Sequence, residues 1–346
     1  FFTTGGSTAV DTALRFVEFR NNVRGLKDKK GIIVQVDGYH GSTALTAACS
    51  GRFGGAANFD VDSPRIHFIS SPNPRRFPGR TEAEVCDLLV NEFRDTVERA
   101  GPGTIAAFLT EPLLASGGMI LPPEGYHRRI KAICEAHDIV YIADEVVTGF
   151  GRLGEWFALE SVFGVTPDIV TFAKGLTSGY VPLGGLAISE RLLDNISGDN
   201  AHGAYFNNGY TYSGHPVSCA AALANIAIFE DEALLEHVRD IAPYFEACLK
   251  TLSDLPVVVD VRTKGLLGCV ECMVRPGSAL DVGAPDRALG EKIDRYAFEK
   301  GLIVRPLGNM CVLSPPLVIT RAQIDEMVAI LRAAILQAAE ELAEAA

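Results

Sequence analysis

Two short apolar segments of this chain each end beside a charged residue that is followed by a glycine-containing turn. The first is Val140–Asp144, and the second is Ile169–Phe172, which is followed closely by Lys174. Such runs of β-branched and aromatic residues are typical of strands that are buried on both faces of a parallel sheet. The two charged side chains are therefore expected at the carboxyl edge of that sheet, where open α/β sheets bind ligands.

Lys174 and Asp144 together suit one kind of chemistry. A lysine that is partly desolvated at a strand end can lose its proton near neutral pH and attack a carbonyl group as a free amine. A buried carboxylate needs a cationic partner, and a protonated pyridine nitrogen is such a cation. The pair predicts a Schiff-base lysine and a pyridinium-binding aspartate, although either residue alone is more often an ordinary charge at a strand end.

Four segments in a fixed order place these two residues in a wider pattern. The segments are Glu111–Gly118, Asp144–Arg152, Lys174–Gly175 and Gly209–Pro216. In composition and order they resemble the class III aminotransferases, which are pyridoxal-phosphate enzymes, and the resemblance covers essentially the whole chain. Within that family the chain looks most like the ω-transaminases that use pyruvate as the amino acceptor.

The resemblance implies a fold of the α/β class, namely fold type I of the pyridoxal-phosphate transferases. That fold has a mostly parallel sheet covered by helices, and a smaller α+β C-terminal domain. Alternating strand-like and helix-like segments up to about residue 215 agree with a parallel sheet. We predict a large cofactor-binding domain at residues 1–230 and a small domain at 231–346. The first residues also match the family only after its N-terminal segment, so we expect that segment to be missing.

Local signals predict several element boundaries. Thr81 and Thr320 are each followed, three residues later, by Glu or Gln, so each is predicted to open a helix with a capping box. A single connecting helix is predicted from about 216 to 250. Residues 51–80 are rich in Gly and Pro and are predicted to form a long loop.

The start of the chain carries a candidate phosphate site. Gly6, Ser7 and Thr8 lie between a predicted strand and a helix N-terminus, where backbone N–H groups and the helix dipole attract an anion. The family usually has Gly-Ser-Glu here, so Thr8 is a departure that should leave the backbone contacts intact. The resemblance implies that Thr211 binds the same phosphate from the partner subunit, which would make the enzyme a homodimer with a shared active site.

Further residues are assigned to the cofactor by the resemblance. Tyr39, followed by His40, is implied to stack on one face of the pyridine ring, and Val146 to contact the other face. Asp144 is implied to keep the pyridine nitrogen protonated, and Glu111 to orient the residues of the site. An aromatic residue after a strand is more often part of a core, so these assignments depend on the family pattern.

Two positions bear on the substrate. Arg305 matches the arginine that binds the acceptor's carboxylate in the pyruvate-dependent ω-transaminases, a task that suits its planar guanidinium group. Relatives that act on ornithine or 4-aminobutyrate with 2-oxoglutarate commonly have x-Gln-Gly-Glu-Gly-Gly after Glu-Pro. Here Leu114, Ala115 and Ser116 stand in that segment. We therefore expect pyruvate as the keto acid and an uncharged amine as the donor.

The predicted activity is a ping-pong transamination through a Schiff base on Lys174, with pyridoxal 5′-phosphate as the cofactor. Lys174 and Asp144 are the predicted catalytic residues. Two alternatives stay open. One is an aminomutase or decarboxylase of the same fold, and the other is an inactive fragment that cannot assemble.

Charge and composition exclude other classes of function. A net charge of −12 disfavours nucleic acid or an anionic membrane as a partner. No apolar stretch reaches the roughly 18–20 residues that span a bilayer. The eight cysteines are scattered through apolar segments, as in reduced cytoplasmic proteins. Cys269 and Cys272 form a lone C-x-x-C pair, so no metal site is predicted there.

Overall fold

The computed structural model describes residues 1–51, 59–61, 63–274 and 284–344. These residues divide into two compact units. The first unit contains the described residues within 1–116, 121–150 and 155–231, and the second contains those within 117–120, 151–154 and 232–344. The predicted domains were 1–230 and 231–346. Segments 117–120 and 151–154 fall in the predicted first domain, but they belong to the second unit.

The first unit alternates strands and helices along the chain. Its strands are β1 (Phe2–Thr3), β2 (Gly31–Gln35), β3 (Ile66–Ile69), β4 (Ile105–Thr110), β5 (Val140–Asp144), β6 (Ile169–Phe172) and β7 (Gly184–Ile188). Its α-helices are α1 (Gly6–Val23), α2 (Ala44–Ala48), α3 (Glu82–Ala100), α4 (Tyr126–Ala136), α5 (Ala158–Ser161), α6 (Glu190–Asp194) and α7 (Pro216–Asp231). Within the described ranges, no helix of the protein is both long enough and apolar enough to cross a membrane.

The seven strands form one sheet in the order β1-β7-β6-β5-β4-β2-β3. Five neighbouring strands are parallel, namely β3, β2, β4, β5 and β6. β7 runs antiparallel to β6, and β1 runs antiparallel to β7. The predicted mostly parallel sheet is therefore confirmed. Because neighbouring parallel strands run in the same direction, their carboxyl ends lie along one edge of the sheet.

Helices cover both faces of this sheet. Val140 and Ile142 of β5 belong to a buried cluster with residues of α1. Tyr141 and Ala143, which alternate with them, belong to a second cluster with residues of α3 and α4. Successive side chains of a strand point to opposite faces, so burial on both faces explains why the strand has no polar alternation.

The second unit has its own sheet and core. Its strands are β8 (Val258–Lys264), β9 (Leu267–Cys272), β10 (Arg305–Leu307) and β11 (Met310–Leu313), and its helices are α8 (Leu234–Lys250), α9 (Ala284–Glu299) and α10 (Arg321–Glu344). The strands form an antiparallel sheet in the order β10-β11-β9-β8. Apolar residues of α8, β9 and α10 share one buried cluster. This arrangement confirms the predicted α+β character of the smaller part.

The two helix starts predicted from capping boxes were confirmed, whereas the predicted helix at 216–250 and the predicted loop at 51–80 were not. Thr81 and Glu84 form the expected capping box at α3, and the Thr320 hydroxyl accepts a hydrogen bond from the amide of Gln323 at α10. The single helix predicted at 216–250 was wrong, because the chain breaks between α7 and α8 at Ala233, which has φ 49°. The loop predicted at 51–80 was wrong at β3, which pairs with β2, while residues 52–58 and 62 of it lie outside the described residues.

Candidate active site

Three of the predicted site residues lie at the carboxyl edge of the large sheet. Glu111 follows β4, Asp144 is the last residue of β5, and Lys174 comes two residues after the end of β6. Asp144 is the partner of Thr171 in the pairing of β5 with β6. The strand order therefore brings these ionisable side chains to neighbouring strand ends, as the sequence predicted.

Asp144 is a buried carboxylate whose oxygens are both engaged. Its Oδ2 lies 2.9 Å from Nδ1 of His40, and its Oδ1 accepts a 3.1 Å hydrogen bond from the amide of Val146. Asp144 is 5% exposed, and no lysine or arginine of the described residues forms an ion pair with it. A carboxylate has about four lone-pair sites, so a further donor, in particular a cation, can still bind to Asp144.

Glu111 joins the loop after β2 to the loop after β4. Its Oε1 accepts a hydrogen bond from the amide of Tyr39, and its Oε2 accepts one from the amide of Ala115, both at 3.0 Å. Burial raises the pKa of Glu111 to about 7; the charge of His40 lowers this pKa and the charge of Asp144 raises it. Glu111 therefore orients the segment that begins at Tyr39, and its own charge is close to titration at neutral pH.

The loop after β2 packs against the start of α1. The amide of Ser42 donates to the hydroxyl of Ser7 at 3.1 Å, and the Tyr39 hydroxyl lies 3.0 Å from Oγ of Ser42. Gly41 has φ +136°, and a Cβ there would lie only 2.6 Å from Oγ of Ser7. Glycine is therefore required at this position both by the backbone conformation and by the close approach of α1.

The N-terminus of α1 presents backbone amides at this edge. The first amide that bonds back along the helix is that of Ala9, to the Gly5 carbonyl, so the amides of Gly6, Ser7 and Thr8 precede it. The first turn contains no acidic side chain that would repel an anion. The Thr8 hydroxyl donates to the Gly5 carbonyl at 2.9 Å. The amide of Thr8 therefore remains available to an anion, and the predicted phosphate contact is compatible with this geometry.

Val146 contacts the same helix start. A Cβ on Gly6 would lie 2.9 Å from Cγ1 of Val146. Since the amide of Val146 also binds Asp144, the residue lies between the candidate phosphate site and the buried carboxylate. This position is compatible with the predicted contact of Val146 with a flat ring.

Lys174 begins a short 3-10 turn, Lys174–Thr177, and its φ is +37°. The residue is exposed, whereas the sequence analysis expected a partly desolvated lysine. The described chain therefore leaves this amine accessible to a reagent.

Two predicted residues are not brought to this edge by contacts within the first unit. Thr211 is exposed, although the hydroxyl of the preceding Tyr210 lies 3.3 Å from Oγ1 of Thr12 on α1. Arg305 belongs to the second unit, where it begins β10; it is exposed and forms no ion pair with the described acidic residues. Each side chain is thus available to a ligand or to another chain.

Glu145 has a role that the sequence analysis missed. It is 1% exposed, and its carboxylate accepts hydrogen bonds from the amides of Ala158 at 2.6 Å and Leu159 at 2.7 Å. It also accepts one from the Thr148 hydroxyl at 2.9 Å. The side chain caps α5 and closes the loop that follows Asp144. No local pattern signals this role, because the residues that it caps lie more than ten positions later.

The residues at this edge fit pyridoxal phosphate. Asp144 is a buried negative charge beside a histidine and has no lysine or arginine partner in the described chain, which suits a protonated pyridine nitrogen. The amides at the start of α1 suit a phosphate group. Nε2 of His40 is buried and has no hydrogen-bond partner among the described residues. Lys174 supplies an exposed primary amine for an aldehyde.

Comparison with known proteins agrees with this fit. The sequence pattern that defines "Aminotransferase class-III" matches residues 1–335. The chain is 38% identical over 330 residues to gamma aminobutyrate transaminase 3, chloroplastic, of Solanum lycopersicum. That match includes 95% of this chain but 63% of the tomato protein, so the chain spans less than two thirds of that relative's length.

Solved structures show the same architecture. A transaminase obtained by ancestral reconstruction and directed evolution superposes with a TM-score of 0.94 at 38% identity, over 98% of this chain and 75% of that one. A thermostable (S)-enantioselective omega-transaminase from Thermomicrobium roseum superposes with a TM-score of 0.92 at 37% identity, over 97% and 74% of the two chains. The chain therefore belongs to the class III aminotransferases, a pyridoxal-phosphate-dependent family with the type I fold.

Proposed function

We propose that this protein is an aminotransferase that moves an amino group from an amine donor to a keto acid with the aid of pyridoxal phosphate. The observation that carries the proposal is the convergence of a buried carboxylate, an exposed lysine amine and the amides of a helix N-terminus at one edge of the sheet. When bound, pyridoxal phosphate supplies an aldehyde that takes up the amino group and a ring that withdraws electrons from it.

Asp144 holds a proton on the ring nitrogen in this proposal. A carboxylate that is buried next to His40 stabilises a cation more strongly than an exposed one, because the local dielectric constant is low. The His40 bond and the Val146 amide keep the carboxylate in one orientation. Neither contact requires the carboxylate to lose its charge.

Lys174 moves a proton in this proposal. Its Nζ, as a free amine, removes the proton from the donor's α-carbon. When the keto acid has bound, the same group delivers a proton to the acceptor's α-carbon. The amides of Gly6, Ser7 and Thr8 would hold the phosphate group and so keep the cofactor at this edge of the sheet, where Lys174 lies. Because the ketone or aldehyde formed from the donor leaves before the keto acid binds, the kinetics are ping-pong.

Pyruvate is the proposed acceptor. Arg305 is an exposed guanidinium without an acidic partner in the described chain, which suits the carboxylate of a keto acid. Leu114 and Ala115 are buried and Ser116 is half-buried, so this segment offers no carboxylate to neutralise a second arginine. An uncharged amine is the proposed donor. 4-Aminobutyrate is the second candidate, because the tomato relative is named for that substrate.

The proposed assembly is a homodimer in which Thr211 serves the partner's phosphate site. α7, which follows Thr211 closely, exposes Val217, Leu223 and Ile228 at 62%, 69% and 48%. A helix with such apolar residues in water is typical of an association surface. Light scattering tests this directly: Leu223→Asp should yield monomers, whereas Leu88→Asp, at an exposed leucine of α3, should leave the dimer intact. A monomeric parent protein would refute the assembly.

The substrate proposal is tested with a panel of amines. Carboxylate-free arylalkyl amines and 4-aminobutyrate are each supplied with pyruvate or with 2-oxoglutarate, and the amino acid product is measured. We expect alanine from pyruvate and much less glutamate from 2-oxoglutarate. The opposite preference would remove the pyruvate assignment and leave transamination itself.

The same assay separates the alternatives. An aminomutase converts its substrate when the keto acid is omitted, whereas the proposed enzyme stops after the first half-reaction. A decarboxylase releases carbon dioxide from an amino acid substrate. A chain that binds no pyridoxal phosphate and shows no visible absorption with it would be the inactive fragment.

A further inference from the structure

The turn that carries Lys174 has an unfavourable backbone conformation near both of its ends. Lys174 has φ +37° and Ser178 has φ +48°. Residues with a Cβ rarely adopt this left-handed conformation, and they keep it only where the surrounding contacts impose it. Strained backbone of this kind commonly occurs at functional sites, where it fixes the direction of a reactive side chain.

Asn225 of α7 supplies such contacts. Its Nδ2 donates hydrogen bonds to the carbonyl oxygens of Gly175 at 2.9 Å and Leu176 at 3.1 Å. Its Oδ1 accepts a hydrogen bond from the hydroxyl of Ser178 at 2.8 Å. One half-buried amide side chain therefore binds three residues of the segment that directly follows Lys174.

Packing keeps both partners of this contact in place. A Cβ on Gly175 would lie 2.8 Å from Cβ of Phe150, so the turn is pressed against the loop that follows β5. On α7, the ring of Phe229 stacks on Trp156 with centroids 5.5 Å apart. This packing holds α7 in place, so the hydrogen bonds from Asn225 fix the position of the turn.

We propose that Asn225 is a positioning residue that holds the Lys174 turn in its reactive geometry. The inference rests on the proposed function, since it concerns the amine that reacts with pyridoxal phosphate. Asn225 does not touch a reacting atom. It acts through the carbonyl groups of Gly175 and Leu176, whose positions determine where the backbone of Lys174 lies.

Two substitutions separate the donor from the acceptor half of the amide. Asn225→Asp has nearly the same shape and can still accept from Ser178, but it directs a carboxylate oxygen at two carbonyl oxygens. Asn225→Ala removes all three hydrogen bonds. Asn91→Ala is the matched control, because Asn91 is an exposed residue of α3 whose Oδ1 accepts from Arg94 at 2.7 Å, away from the turn.

The first measurement is the rate at which pyridoxal phosphate becomes attached to Lys174 in the full chain. Attachment is trapped with borohydride and quantified by peptide mass spectrometry. The second measurement is the pH midpoint of the visible absorption of the attached cofactor, which reports the surroundings of Nζ. We expect both Asn225 variants to attach about tenfold more slowly or worse, on the scale of one or two lost hydrogen bonds, and to shift the midpoint. Asn91→Ala should match the parent in both measurements. The thermal unfolding midpoints of all three variants should lie within a few degrees of the parent's.

The possible outcomes separate failure of the role assigned to Asn225 from failure of the proposed function. A parent protein that is not labelled at Lys174 refutes the proposed function, and the inference with it. A labelled parent with Asn225 variants that match it in rate and pH midpoint overturns the inference and leaves the function standing. If Asn225→Ala does not fold, Asn225→Asp decides; loss of folding in both would give Asn225 a general structural role and also overturn the inference.

Discussion

Nδ1 of His40 lies 2.9 Å from Oδ2 of Asp144, although the two residues are 104 positions apart in the chain. Both side chains are buried, at 3% and 5% exposure for the residues. An ionised carboxylate can only accept, so the imidazole must carry a proton on Nδ1 to form this bond. His40 therefore orients the carboxylate and still leaves lone pairs for a ring nitrogen.

Asp144→Asn should slow the first half-reaction by about two to three orders of magnitude, the usual scale of losing an electrostatic partner of a transition state. The substitution keeps the shape of the side chain but removes the negative charge that, in the proposed function, keeps the ring nitrogen protonated. Stopped-flow absorption with a single amine addition measures the rate. Asp87→Asn, at an exposed position of α3, is the control, and a near-normal rate in Asp144→Asn would refute the assignment.

His40→Leu should slow the same half-reaction roughly 10- to 100-fold, because hydrogen bonds to charged groups contribute about 1.5–3 kcal/mol. Without Nδ1 the Asp144 carboxylate keeps one of its two contacts and can rotate. His40→Asn retains an N–H donor near the position of Nδ1, so it should lose less. Equal losses in the two variants would mean that the packing of His40 matters and its hydrogen bond does not.

Lys174→Ala should abolish turnover and the borohydride-stable attachment of pyridoxal phosphate. In the proposed function the exposed amine of Lys174 is the nucleophile, and alanine offers no replacement. Peptide mass spectrometry of the parent should locate the label on the peptide that contains Lys174. Lys300→Ala, at an exposed lysine of the second unit, should behave like the parent. A label on any other lysine would contradict the proposal.

Glu111 should make the stability of the protein depend on pH. Its pKa is raised from 4.5 to about 7 in the folded state, chiefly by burial. The stability that this shift contributes is fully present below pH 4.5 and is lost as the pH rises through about 7. Glu111→Gln cannot ionise and lacks this loss. Between these pH values the parent should therefore lose on the order of 3 kcal/mol relative to the variant.

Thermal unfolding of the cofactor-free parent and of Glu111→Gln, at pH steps from 4 to 8, measures this difference. Glu98→Gln is the control, because Glu98 is an exposed residue of α3. A constant gap between the parent and Glu111→Gln across the range would show that Glu111 does not titrate there.

Arg305→Ala should raise the KM for pyruvate about 30- to 150-fold, because a charge-assisted contact contributes on the order of 2–3 kcal/mol. Turnover of a carboxylate-free donor should change much less, since that substrate does not use the guanidinium. Steady-state kinetics with each substrate varied in turn separates the two effects. Equal losses for the donor and the acceptor would assign Arg305 to support of the second unit.

Some parts of the fold followed from short stretches of sequence. The capping box at Thr81 marks the start of α3 because the hydrogen bonds that define it join residues three positions apart. β3 was missed for the opposite reason. Ile66–Ile69 lies in a Gly- and Pro-rich region, and it becomes a strand by pairing with β2, some thirty positions earlier in the chain.

The sequence by itself determined which charged residues end the strands, and with them Asp144 and Lys174, because a buried parallel strand requires an unbroken apolar run that is visible locally. Only the tertiary structure decided that His40 orients Asp144, that Glu145 caps α5 and that Asn225 holds the turn after Lys174. These contacts join residues between about ten and a hundred positions apart. Their existence depends on the strand order and on how helices pack against the sheet, which no local pattern of residues specifies.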